Sequence, residues 1–186
     1  AVMNLLFENA PDHIVVGGKI IKINTDFRLW VKYITASENK NADRVNEALA
    51  EIFGNIRIPA RYTEEFFEKI NEWLFDKCRE SAGGGAPSFS FDEDGNVIFA
   101  ELWNRYPHLM ENNPSFHEFV ELIRNLLCDE SSELWHRAFA RTGDFSKLPK
   151  EQREYWSKER RRLRLKDKRS REQKEYDFER AMSRMF

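Results

Sequence analysis

No apolar run in this chain of 186 residues approaches the roughly 18–20 residues needed to cross a bilayer. Near the start, Leu5, Leu6 and Phe7 are interrupted at once by Glu8 and Asn9, so no export signal is expected and the default compartment is the cytoplasm. Cysteine is scarce. Cys78 and Cys128 each lie in an apolar helical stretch and read as small buried hydrophobes in a reducing compartment. The four histidines, His13, His108, His117 and His136, form no HxxxH, HExxH or Cys/His spacing, so no metal is expected. Neither GxGxxG nor GxxxxGK[ST] occurs, and Gly83-Gly84-Gly85 has no Lys-Ser or Lys-Thr after it. No cofactor and no enzymatic activity are expected. Thr25-Asp26 reads as helix capping, and His117-Glu118 as a solvated helix face.

What is present is a foldable composition. Forty-one per cent of residues are hydrophobic and 33% charged, which is neither disordered nor collagen-like. The chain can build one core plus an appended helical arm. Residues 13–16 and 19–23, rich in Ile and Val around Gly17-Gly18, predict a β-hairpin with a type I′ turn. Asp26 then precedes a helical stripe of Phe27, Trp30, Val31 and Ile34. A helix is expected over 41–53, ended by Gly54, and another from Thr63. The stripe of that third helix, Phe66, Phe67, Ile70, Trp73 and Leu74, is wide enough to imply contact on more than one side.

Residues 81–88, with three consecutive glycines, read as a flexible insert. Residues 90–96 admit two readings: a capping box at Ser90-Phe91-Asp92-Glu93, or a hairpin turned by Asp94-Gly95. Pro107 closes that element. Helices are expected from Pro114-Ser115, from Ser131/Ser132 to Gly143, from Leu148-Pro149, and after a capping box at Ser170. The fold class is therefore mainly α: seven or eight helices, a small N-terminal hairpin and a charged C-terminal helical arm. Residues 1–149 form the helical core domain and 150–186 the arm. The hairpin is expected to pack on the Phe27/Trp30/Ile34 face, because a lone hairpin is marginal in water.

Charge is unevenly placed. Residues 1–149 hold 16 Lys/Arg against 24 Asp/Glu, a balance of −8, while residues 150–186 hold 14 against 8, a balance of +6. Lys158 to Lys166 is the densest basic run, and its arginines wrap the helix with positive charge. Phosphate binding is one reading of it, and docking to an acidic protein surface another. The 15 Phe, 5 Trp and 5 Tyr exceed what capping and turns require, and sequence alone does not divide core aromatics from groove aromatics.

Asn4-Leu5-Leu6-Phe7-Glu8, a hairpin, and then Ile23-Asn24-Thr25-Asp26-Phe27-Arg28-Leu29-Trp30 resemble the opening of the bacteriophage family named for gene product fifteen, found in siphophages and prophages of Gram-positive bacteria. Phe91, Ile98-Phe99-Ala100-Glu101-Leu102 and Lys150-Glu151-Gln152-Arg153-Glu154-Tyr155 resemble later parts of that family in order. Phe116-His117-Glu118-Phe119 falls where the family tends to have His-Trp-Trp-x-Phe, so Glu118 and Phe119 replace a tryptophan pair. The resemblance implies a tail assembly chaperone. Its partners would be the tape measure protein and the tail tube protein, with self-association. It would work in the host cytoplasm and be absent from the finished virion, with no role for nucleic acid or membrane. The candidate partner-binding residues are Phe119, Trp135, Trp156, Arg160, Arg161, Arg162, Phe178 and Met182. The alternative is a nucleic-acid-binding module using the basic 158–171 segment.

Overall fold

A computed structural model describes residues 11–54, 56–75 and 88–166, residue 75 by its backbone only. The protein is mainly α-helical with one two-stranded hairpin. Strands β1 (His13–Val16) and β2 (Lys19–Lys22) pair antiparallel, His13 opposite Lys22 and Val16 opposite Lys19. Gly17 and Gly18 have φ of 55° and 74°, the left-handed pair that a type I′ turn requires. Ile14 and Val16 face inward, and Val15 points to solvent.

Helix α1 (Phe27–Glu38) begins where the Asp26 carboxylate accepts the Arg28 amide at 2.9 Å. Helix α2 (Ala42–Phe53) begins at Asn41, whose side chain accepts the Arg44 amide, and stops at Gly54 with φ 69°. A 3₁₀ turn (Ala60–Tyr62) leads into α3 (Thr63–Phe75). Helices α1 and α2 form an antiparallel pair, and the hairpin lies against α3. Ile14, Val16 and Ile23 of the hairpin region share one buried core with Phe27 and Trp30 of α1, and the hairpin's most extensive packing is against α3. The Gly17 amide donates to the Glu65 carboxylate of α3 at 3.1 Å. The Trp73 indole donates to the Pro11 carbonyl at 2.8 Å and stacks on Trp30 with centroids 4.2 Å apart.

Residues 91–105 are helix, α4 (Phe91–Arg105), not a second hairpin. Ser90 stands at the N-cap, but its hydroxyl makes no capping bond; its amide instead donates to Asp94 Oδ2 at 2.9 Å. Pro107 does more than close α4. It is the first residue of a short helix, α5 (Pro107–Glu111). Helix α6 (Phe116–Cys128) carries the reciprocal capping box of Ser115 and Glu118. Two expectations fail here. His117 is buried, with Nε2 3.1 Å from the Trp73 carbonyl oxygen, so its side of α6 is not solvated. Cys128 is exposed at the last turn. Helix α7 (Glu133–Thr142) is capped by Ser132, and α8 (Lys150–Arg162) starts after Pro149 and ends at Leu163, shorter than its charge pattern implies. Cys78, the glycine-rich stretch 81–87 and everything after Lys166 lie outside the described residues.

The core centres on Trp30, which has no exposed surface. Phe53 and Phe116 sit 6.1 Å from it by ring centroid, and Phe27 stacks on Phe119 at 4.3 Å. Each such side chain stabilises the fold by roughly 1.5–3 kcal/mol relative to leaving it exposed.

Candidate partner-binding site

Three of the sequence-derived candidates meet where α8 packs on α7. Trp135 stacks on Phe139 at 4.9 Å, and Trp156 stands edge-on to Phe139 at 4.8 Å. Phe145 closes the cluster, 6.0 Å from Trp156. Arg160 pins the corner. Its Nε donates to the Ala140 carbonyl at 2.8 Å and a terminal nitrogen donates to the Gly143 carbonyl at 2.5 Å. Its guanidinium also lies 4.2 Å over Phe145. A cation on the last carbonyls of α7 complements the negative end of that helix.

The remaining candidates are scattered. Arg162 grips Glu159 one turn back, with nitrogen–oxygen distances of 2.5–3.2 Å. That hydrogen bond, helped by His136 across from α7, holds the Glu159 carboxyl below its ordinary pKa. Arg161 faces solvent, its Nε donating to the Ser157 carbonyl at 3.3 Å. Phe119 is not at this corner at all; it is a core residue with 4% of its surface exposed. Phe178 and Met182 lie outside the described residues. The basic run is thus not a continuous free surface, because Arg160 and Arg162 are committed to the protein itself.

The body beneath α8 is knit by charge. Asp94 of α4, fully buried, receives both Arg137 and Arg141 of α7. Burial pushes its carboxyl up, but hydrogen bonds from Arg141, the Ser90 amide and Arg137 outweigh this and hold it below its ordinary value. Glu101, two turns further along α4, accepts the Ser132 hydroxyl at 2.9 Å and the Glu133 and Leu134 amides at 3.0 Å each. It thereby caps the start of α7 from another helix. Among the described residues, no group of three or more His, Cys, Asp or Glu is placed to hold a metal ion. No helix of the described residues is long and apolar enough to cross a membrane.

A second site carries none of the sequence-derived candidates. Helices α2 and α3 approach each other through Phe53 and Phe66, ring centroids 5.0 Å apart, and do not pack along their lengths. An open groove of about 320 Å³ remains between them. Leu49, Ala50 and Phe53 form one wall, Thr63, Phe66 and Phe67 the other, and Ile56 and Ile58 close the end. Phe67 and Ile56 are 39% and 40% exposed, high for large apolar side chains. The wide stripe of α3 was its signal in the sequence. Phe66 turns into the core, and its neighbour Phe67, about 100° round the helix, turns into the groove. A smaller apolar feature is the stacked pair Phe99 and Trp103 on α4, centroids 5.8 Å apart and 49% and 41% exposed.

No protein-family model, curated protein or solved structure matches this chain.

Proposed function

We propose that this chain is a siphophage tail assembly chaperone that binds the tape measure protein in the host cytoplasm and assists tail tube assembly. The observation that carries the reading is the open apolar groove between α2 and α3, which leaves Phe67 and Ile56 exposed. A chaperone of a long helical partner needs such a surface, because an amphipathic helix buries its apolar face in a hydrophobic groove. The likeness of the first thirty residues to the phage family supplies the partner's identity. Self-association and contact with the tail tube protein belong to the same reading.

The competing reading, nucleic-acid binding by residues 158–171, is supported by the exposed Lys158, Arg161, Arg164 and Lys166. It is weakened by the commitment of Arg160 to the end of α7 and of Arg162 to Glu159. Co-expression with the tape measure protein separates the two. The chaperone reading expects a stable complex that keeps the tape measure protein in solution. Sub-micromolar DNA affinity falling steeply with salt, and no such complex, would replace it with the nucleic-acid reading.

A further inference from the structure

We propose that the C-terminal segment 170–186 docks as a helix across the exposed face of α4, seating Phe178 and Met182 on Phe99 and Trp103. This contact stands apart from the chaperone reading and from the α2/α3 groove.

One side of α4 is left open among the described residues. Asp92, Asn96, Phe99, Ala100 and Trp103 are all exposed. At 100° per residue they fall within one arc of about 100°. Asp94, Ile98 and Leu102, all buried, face the other way, toward α7 and the core. Within the open arc Phe99 and Trp103 stack with centroids 5.8 Å apart, 49% and 41% exposed.

The size of the pair selects what covers it. An aromatic side chain buries about 150–250 Å² in full, so two half-exposed rings offer on the order of 200 Å². A stable complex of separate proteins buries about 800 Å² on each side. So small a patch falls well short of holding a second copy or a free partner. It is enough for a segment of the same chain, because the tether supplies an effective concentration in the millimolar range.

The path of the chain brings one such segment to this face. Arg141 holds the Leu163 and Ser88 carbonyls, and the Lys166 amide donates to Glu93 Oε1 at 2.8 Å. The described chain therefore ends against the first turn of α4, with residues 167–186 to follow. Glu93 borders the open arc, about 80° round the helix from Trp103. Between them lie Asn96 and Ala100, both exposed. Phe99 stands about 9 Å further along the α4 axis, and a packed helix lies about 8–10 Å to the side. Residues 167–170 extend to about 13 Å, and Phe178 lies about 12 Å along a helix begun at Ser170, so the reach is sufficient.

The spacing also matches. Phe178 and Met182 are four residues apart, as are Phe99 and Trp103. A helix running alongside α4 with Phe178 over Phe99 thus sets Met182 over Trp103, and a thioether on an aromatic ring is a favourable contact. The same register sets Arg171 level with Asp92, opposite in charge. Tail and face then cover each other, and a partner that takes either must displace this contact.

The test places the photo-cross-linker benzoylphenylalanine at position 178 of the full chain and maps the product by mass spectrometry. The cross-link is expected within 96–103, in chains of monomer mass. In a mixture of isotope-labelled and unlabelled chains, its two ends should carry the same label. Phe99→Glu combined with Trp103→Glu should lower its yield at least about tenfold. Phe67→Glu, in the α2/α3 groove, should leave it unchanged. Circular dichroism checks that each variant folds, and Phe99→Ala with Trp103→Ala serves in place of the glutamates if they disturb α4. The absence of any cross-link to α4 overturns the inference, as does one that maps to the α2/α3 groove or survives loss of both rings. Cross-links with mixed labels overturn it in favour of a second copy.

Discussion

Asp94 and Arg141, one near the start of α4 and the other near the end of α7, form a two-pronged ion pair at 2.6 and 2.9 Å. The same guanidinium reaches further. It donates to the Leu163 carbonyl at 2.7 Å and to the Ser88 carbonyl at 3.1 Å. One side chain therefore ties the start of α4, the end of α7 and the end of α8 together. The carboxylate has no exposed surface and the guanidinium side chain only 6%.

Breaking that pair from one side leaves a buried charge without its counterpart. Asp94→Ala is expected to cost roughly 3–5 kcal/mol in urea unfolding. A double-mutant cycle with Arg141→Ala should show coupling of at least about 1 kcal/mol. Additive single effects would mean that the two side chains act independently.

Acid should undo the same region. Asp94 and Asp129 both have carboxyls held low, Asp129 to about 2 by Arg105 and the Ser131 hydroxyl and amide. A depressed folded-state pKa contributes stability that is complete above the unfolded value, about 3.9, and is lost as pH falls through the folded one. Unfolding midpoints should stay level from pH 7 to about 5 and then fall between about 4 and 2. Asp94→Asn should begin lower at neutral pH and fall less steeply.

Arg160 and Arg161 are adjacent in sequence but differ in what they hold. Arg160→Ala removes two bonds to the end of α7 and is expected to cost roughly 1.5–3 kcal/mol. Arg161→Ala, at an exposed position, should change stability by no more than about 0.5 kcal/mol. Trp156 fluorescence during unfolding should report the difference; equal effects would mean that Arg160 does not fasten α8.

The two turn glycines should also separate. A Cβ on Gly17 would sit 2.7 Å from the Tyr62 ring, whereas one on Gly18 meets nothing within 4 Å. Gly18→Ala should cost only the left-handed penalty of roughly 1–2 kcal/mol, and Gly17→Ala clearly more. Thermal melts of the two variants decide this, and equal losses would show that the hairpin does not rest on Tyr62.

Trp30→Ala is expected to cost roughly 3–5 kcal/mol, since its ring is enclosed by Tyr33, Phe53, Trp73 and Phe116. A loss below about 1 kcal/mol would place the ring at the surface and make it a candidate contact for a partner.

The sequence by itself determined the devices that act within a few residues. Although the box expected at Ser90 forms no capping bond and the one that does form, Ser115 with Glu118, was not expected, the I′ turn at Gly17-Gly18, the caps at Asp26 and Ser132, and the stop at Gly54 are where spacing placed them. These are legible because donor and acceptor lie less than one helical turn apart, so the chain itself brings them together. Tertiary structure alone decided what each inward face meets. Periodicity marks Phe119 as apolar but does not say that Phe27 covers it, while Phe67, equally apolar, is left in an open groove. Asp94 chose helix over a hairpin turn at 90–96 with the help of an arginine 47 residues away. Arg160 passed from a free surface to a fastening because the end of α7 presents carbonyls beside it. Such outcomes depend on partners brought close only by folding. A side chain's chemistry declares which interactions it can make, and the packing of distant elements selects the one it does make.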